Sequence, residues 1–293
     1  MIDLLLPTVS QGLLWSLMAL GVYLTYRVLD IADLTVEGTF PLGAAVAAEM
    51  LIKGFNPVVA IFVAGIAGAL AGIVTGLLHT KLKIPALLAG ILTMIALYSV
   101  NLRVMGKANL SLLRVDTAFT FVKNMGLTNT MSVLVVGIIS TLFFSLLIYW
   151  FFGTEIGAAI RATGFNPQMI RAQGVNTNFT IVLGLLLSNA LVAISGAFIA
   201  QSNGFADVGM GVGTIVIGLA SVIIGEVLFG TRSFKNSLIS VVLGSVTYRI
   251  VIAVVLQMGM PPNDLKLFTA VLVALALAMP MFKGKIKARK VAE

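Results

Sequence analysis

The sequence predicts an all-α, polytopic membrane protein of about eight to ten transmembrane helices, and three observations carry that prediction. Apolar residues make up 59% of the chain and mean hydropathy is +1.08, far above a soluble globular domain. Charged residues are only 10%, and they cluster between long apolar runs. Each run is about 18 to 22 residues, enough for a helix to cross about 30 Å of hydrocarbon.

Nine spans are expected, at 8–26, 34–52, 57–78, 85–102, 132–152, 180–200, 212–230, 237–257 and 265–282. They form a single transmembrane domain over 1–293, with halves 34–152 and 180–282, expected to be related as an inverted repeat, joined by a polar segment at 153–178. Met1-Ile-Asp-Leu has no basic stretch, so no signal peptide is expected. The chain has no cysteine, which excludes disulfides and thiolate metal sites. His79, the single histidine, sits beside Lys81 at a span end and is expected to be solvated. The net charge of +8 does not point to nucleic acid, because the basic residues flank spans and end the chain.

The second span is unusual. Asp33 and Glu37 lie four apart on one helical face, and Pro41 is expected to break the hydrogen-bond ladder between Gly38 and Gly43. Transporters use broken helices to bring backbone groups to a path. Thr35, Glu37, Gly38, Thr39, Phe40 and Pro41 are therefore expected to line the translocation route, with Phe40 as an apolar gate. For Asp33 a capping role outranks substrate contact, since an acidic first turn favours the helix dipole.

Span three carries Gly68, Gly72 and Gly76, a small-residue face that allows a close crossing. The polar loop from Arg103 to Met131 is long enough for a small cap or a plain surface excursion. Ser188, Asn189 and Ser195 in span six must face protein or water. Gly209-x-Gly-x-Gly213 is no dinucleotide site, since no strand precedes it. Glu226, near its span end, is expected to be solvated. Arg249 lies well inside span eight, where a charge must pair or face water, and Glu49 and Asp207 are candidate partners.

The polar segment from Gly153 to Asn178 encodes structure of its own. Glu155 to Ala162 has good helix formers and is expected to end at Gly164 as a C-cap. Asn166 then reads as an N-cap with Pro167 at the first helical position, and Gly174 stops this second helix near Ala172. Arg171 is expected on its exposed side, with Met169, Ile170 and Ala172 available to press on another protein.

The run Gly157 to Asn176, G-x-A-I-R-A-x-G-x-N-P-x-x-x-R-x-x-G-V-N, resembles the coupling loop of permease subunits of ABC importers. The resemblance is closest to the branched-chain amino acid and ribose permease family. Asp33-Leu-Thr-Val36 with Leu42 to Ala48, and Gly218 to Ser233, are similar to two further motifs of that family, although Glu226 replaces the second residue of its usual Gly-Gly pair. The resemblance implies that Arg161, Gly164, Asn166, Pro167, Met169, Ile170, Arg171 and Gly174 couple to a cytoplasmic ATPase. It also implies a pair of ATP-binding subunits, an extracytoplasmic substrate-binding protein, a homodimer, and a bacterial inner-membrane location. The wording D-L-T-V-E-G-T-F looks most like permeases for aromatic amino acids, with sugar or nucleoside permeases as the alternative.

No G-x-x-x-x-G-K-S/T motif, metal-ligand cluster or nucleophile–base pair is present, so the chain is expected to be no enzyme and to need no cofactor. An ion-coupled secondary transporter would also have broken helices, but it would need a deeply placed carboxylate. Placing the polar segment in the cytoplasm puts Arg27, Lys81, Lys83, Arg161, Arg171, Arg232, Lys235 and the five basic residues of the tail (Lys283, Lys285, Lys287, Arg289, Lys290) inside. Only Lys53, Arg103, Lys107, Arg114, Lys123 and Lys266 then lie outside, the bias that membrane insertion favours. Met1 is then external and Glu293 cytoplasmic.

Overall fold

The computed structural model describes residues 2–113, 115–261, 264–265, 267–271 and 273–274. The two chain ends, Arg114, Lys266, most of the ninth expected span and the five basic tail residues lie outside the described residues.

Eight of the expected spans are helices: α1 (Ile2–Tyr23), α2 (Val36–Ile52), α3 (Pro57–Thr80), α4 (Ala86–Met105), α6 (Asn129–Phe152), α9 (Thr177–Asn203), α10 (Thr214–Phe229) and α11 (Phe234–Gln257). Short helices α5 (Ala118–Lys123), α7 (Glu155–Phe165) and α8 (Pro167–Ala172) lie between them. Among the described residues, 7 helices are long and apolar enough to cross a membrane. α2, at 17 residues, falls just short of full crossing length. The chain is a multi-pass helical membrane protein.

α1 and α9 form the centre. Leu14, Leu17, Met18 and Leu20 on α1, with Val192, Ala193, Ala197 and Ala200 on α9, are fully enclosed. Close backbone approach sets this packing. A Cβ on Gly68 or Gly72 would stand 2.4 Å from the Asn189 or Leu185 carbonyl of α9, so the small-residue face of α3 does meet a neighbour closely. On the other flank, α11 runs along α1 and is pinned where Ser245 donates to the Gly12 carbonyl at 2.9 Å.

The break in the second span precedes α2 rather than falling at Pro41. α1 widens into a π turn at Leu24–Val28, the chain runs without regular structure to Thr35, and α2 then continues through Pro41 unbroken. The reason is positional. Pro41 lies in the second turn, where it forfeits only the bond to the Glu37 carbonyl. Gly211 closes on that oxygen: a Cβ there would stand 1.9 Å away.

The loop after α4 and the loop after α9 are joined. Strand β1 (Asn109–Ser111) pairs antiparallel with β2 (Phe205–Asp207), Leu110 opposite Ala206. The stretch from Arg103 to Met131 is therefore partly folded, with buried Leu110, Leu112 and Phe119.

Candidate functional site

Two regions carry polar chemistry, one inside the helix bundle and one at its end. The inner one forms where α2 begins. Asp33, 3% exposed, accepts from the Thr35 N–H at 2.9 Å through one oxygen and from Asn189 Nδ2 at 2.8 Å through the other. Its role is the expected one, an acceptor at the start of the helix. Thr39 Oγ1 donates to Asn189 Oδ1 at 2.7 Å, and Thr35, Thr75 and Thr93 join hydroxyl to hydroxyl at 2.8 and 2.9 Å. Asn101 Nδ2 donates to the Gly38 carbonyl at 3.1 Å. These bonds tie the start of α2 to α3, α4 and α9, while Asn101 Oδ1 is buried without a hydrogen-bond partner.

The same arrangement encloses most of the residues expected to line the path. Thr35, Thr39 and Phe40 are each 0% exposed, and Gly38 and Pro41 are buried too, so the chain's own helices enclose them. Phe40 packs on Trp15, ring centroids 5.1 Å apart. Glu37 alone is half-open, and its Oε1 accepts from the Gly213 N–H at 3.0 Å. α2 and α10 therefore meet at their starting ends, because Gly213 immediately precedes α10.

Asn189 is the centre of this network, and the sequence flagged it only as a polar residue needing company. Asn189→Leu should remove the donor to Asp33 and leave a buried carboxyl oxygen unsatisfied, costing about 2 kcal/mol. Thermal unfolding of the purified chain in detergent should then begin roughly 4–8 °C lower. A variant within a degree of wild type would show that the network contributes nothing to the fold.

Arg249 has neither expected partner. Glu49 pairs with Lys53 at 3.0 Å, and Asp207 accepts from Asn109 at 3.2 Å and from the Gly209 N–H at 2.7 Å. The guanidinium instead lies over the Trp15 ring, 4.1 Å from its centroid, and Nε has no hydrogen-bond partner. A cation on an indole face recovers part of its lost hydration. The sequence gives no sign of this pairing, because an aromatic partner carries no opposite charge.

The second region is the elbow made by α7 and α8. The Asn166 side chain accepts from the Gln168 and Met169 N–H groups at 3.1 and 3.0 Å, with Pro167 at the first helical position. Gly174, at φ +86, ends the element. Gly164 is no C-cap. It lies within α7, and a Cβ there would stand 1.9 Å from the Val28 carbonyl, so glycine is needed for close seating on the π turn. Thr163 and Thr180 add a hydroxyl contact of 2.9 Å between α7 and α9.

The outward face matches the expected one at Met169, Arg171 and Ala172, which are exposed, and departs from it at Ile170. Ile170 is 6% exposed and packs inward, while Met169 is 48% and Phe165 93% exposed. Arg171 bends back and donates to Thr177 Oγ1 through Nε at 3.2 Å and Nη2 at 2.7 Å, stapling α8 to the start of α9. Arg161 lies over the Phe234 ring at 5.3 Å. Phe165 was missed because an apolar residue between two helix signals reads as a spacer. Its exposure beside a rigid cap gives the elbow an apolar tip.

Beside the elbow, Arg27 of the π turn forms a two-pronged ion pair with Glu226 at the end of α10, Nε reaching Oε1 at 2.8 Å and Oε2 at 3.0 Å. Glu226 is therefore paired rather than freely solvated.

Comparison with known proteins accounts for this layout. Residues 4–279 match the family described as branched-chain amino acid transport system / permease component. The chain is 40% identical over 274 residues to a tyrosine transport system permease protein of Clostridioides difficile, covering 94% of this chain and 90% of that one. It is 33% identical over 285 residues to an uncharacterized protein of Rickettsia prowazekii, covering 94% and 97%. A galactofuranose transporter permease protein of Escherichia coli is 30% identical over 188 residues, covering 62% and 51%. The chain belongs to the permease family of branched-chain amino acid transport systems.

Proposed function

We propose that this chain is the transmembrane subunit of an ABC importer in a bacterial inner membrane, forming a homodimer driven by a separate pair of ATP-binding subunits. The observation that carries the reading is the elbow, a capped and stapled element whose apolar tip, Phe165 and Met169, faces away from the bundle. An interhelical loop without a partner has no need of such a tip, and aromatic side chains held rigidly are favoured anchors at interfaces. The substrate is an amino acid, aromatic by analogy with the tyrosine permease, and an external binding protein delivers it. The sugar alternative has the galactofuranose relative behind it, over a shorter match.

Glu37, at the meeting point of α2 and α10, is the group best placed to face the route, while Thr35, Thr39 and Phe40 shape it from behind. Purification of a tagged chain from its native membrane tests the assembly directly. An ATP-binding subunit and an untagged second copy should accompany it. The partner binding protein should be stabilised against heat by tyrosine, tryptophan or phenylalanine; stabilisation by ribose or galactofuranose alone would sink the amino acid reading.

Orientation is open to a separate check. The chain has no cysteine, so a cysteine placed at Asn178 is the single target for an impermeant maleimide. It should stay unlabelled in intact cells and become labelled after lysis. Labelling from outside would invert the topology.

A further inference from the structure

We infer that the root of the elbow holds an anionic phospholipid, with its head group beside α7 and one acyl chain along the bundle. A cleft of about 650 Å³ opens where α6 ends, α7 begins and α11 starts. Trp150 and Phe152 stand on one side, Phe234 on another, and Arg161 and Lys235 bring two cations to it. No carboxylate lies within ion-pair reach of either cation among the described residues. Arg161 leans over the Phe234 ring instead of pointing outward with Phe165, which directs its charge toward the cleft. Thr154 also lines the cleft, its hydroxyl donating to the Phe151 carbonyl at 2.6 Å and capping the start of α7.

A second hollow, about 530 Å³, runs between α3, α6 and α9 and is lined by apolar residues alone. Phe62, Ile66 and Ala69 form one flank and Phe143 and Leu147 the other, with Gly65 and Ile194 packed together on its wall. Trp150 and Phe152 line both hollows, so the charged cleft adjoins the apolar groove. Trp150 is 68% and Tyr149 49% exposed, as amphipathic rings are at a head-group boundary.

The two halves of the site select its occupant together. A soluble anion would use the cations and leave the groove empty. A zwitterionic lipid would fill the groove and gain little from two unpaired cations. An amphiphile with a phosphate and an apolar tail satisfies both. Arg and Lys suit phosphate in complementary ways, one as a planar donor fork and the other as a compact charge. Each cation near a charged bilayer surface contributes about 1 kcal/mol, or about 5-fold in affinity. This inference concerns a lipid site and stands whether or not the elbow docks on an ATPase.

Native mass spectrometry of the purified chain in detergent tests it, with dioleoyl phosphatidylglycerol, dioleoyl phosphatidylcholine and inorganic phosphate as separate probes. Wild type should retain the glycerol lipid at least about 10-fold in preference to the choline lipid, and phosphate at millimolar concentration should not displace it. Lys235→Gln alone should lower the preference about 5-fold, and Arg161→Gln with Lys235→Gln should abolish it. Ala69→Phe, which fills the groove without touching either cation, should weaken retention of both lipids. Equal retention of the two lipids by wild type would overturn the inference, as would a preference that survives loss of both cations. Displacement by phosphate would make the cleft a soluble-anion site and overturn the lipid assignment. Each variant's unfolding temperature without added lipid shows whether its fold is intact, and Lys235→Gln, at an exposed position, serves as the test if the Arg161 change unfolds the elbow.

Discussion

Replacing Phe165 by Asp should abolish uptake while leaving the chain folded in the membrane. Phe165 ends α7 with 93% of its surface open, next to the Asn166 cap and one turn from exposed Met169. Nothing in the bundle is lost with it. What is lost is the aromatic tip that the proposed ATPase groove would receive. Truncating a central aromatic anchor costs about 2 kcal/mol or more, roughly 30-fold in docking affinity, and a carboxylate in an apolar groove adds its desolvation. Co-purification of the ATP-binding subunit should fall to background, and uptake with it. Ile170→Asp provides the contrast. Ile170 is buried, so its variant should lower unfolding temperature and yield rather than docking alone. Arg171→Glu breaks the staple to Thr177 and should loosen the elbow without removing its tip. Should Phe165→Asp retain wild-type ATPase and wild-type uptake, the elbow is only a loop.

The elbow was legible because capping is local chemistry. Asn166-Pro167 fixes a helix start whatever surrounds it, and the structure places both where the sequence did. Gly164 was misread for a physical reason. A positive-φ cap and a site of backbone contact both require glycine, and only the far neighbour, Val28, tells them apart. Pro41 failed similarly: a proline early in a helix costs one hydrogen bond, while the irregular stretch before Thr35 contains neither glycine nor proline to announce it. Charge complementarity suggested Glu49 and Asp207 for Arg249, yet the observed partner is the Trp15 face. Ile170 and Met169 are adjacent and both apolar, so their opposite fates depend on how α8 rotates against α9. Eight spans, in contrast, needed only length and hydropathy.

Reversing the charge of Glu226 should uncouple the subunit, and reversing Arg27 as well should restore it. Arg27 lies in the π turn, a geometry frequent at functional sites, and both its Nε and Nη2 engage the Glu226 carboxylate. The residue after Arg27 is Val28, whose carbonyl is covered by Gly164 of the elbow. Glu226 is one turn from the end of α10, and the other end of α10 begins beside Glu37 and the start of α2. Elbow, π turn, ion pair, α10 and α2 thus form one continuous run of contacts. Contiguity alone does not establish coupling. A charge-swap cycle does. Arg27 is half-exposed but the Glu226 side chain is only 12% exposed, so Glu226→Arg should also lower the unfolding temperature. Its effect on coupling should be far larger, because two guanidinium groups would face each other where α1 and α10 now join. In the reconstituted complex, uptake should fall at least about 10-fold while ATP hydrolysis continues without responding to substrate-loaded binding protein. Arg27→Glu with Glu226→Arg rebuilds the pair in reverse and should recover most of the uptake. If the double variant transports no better than either single one, the contact is a surface ion pair and the elbow reaches the membrane centre by another route.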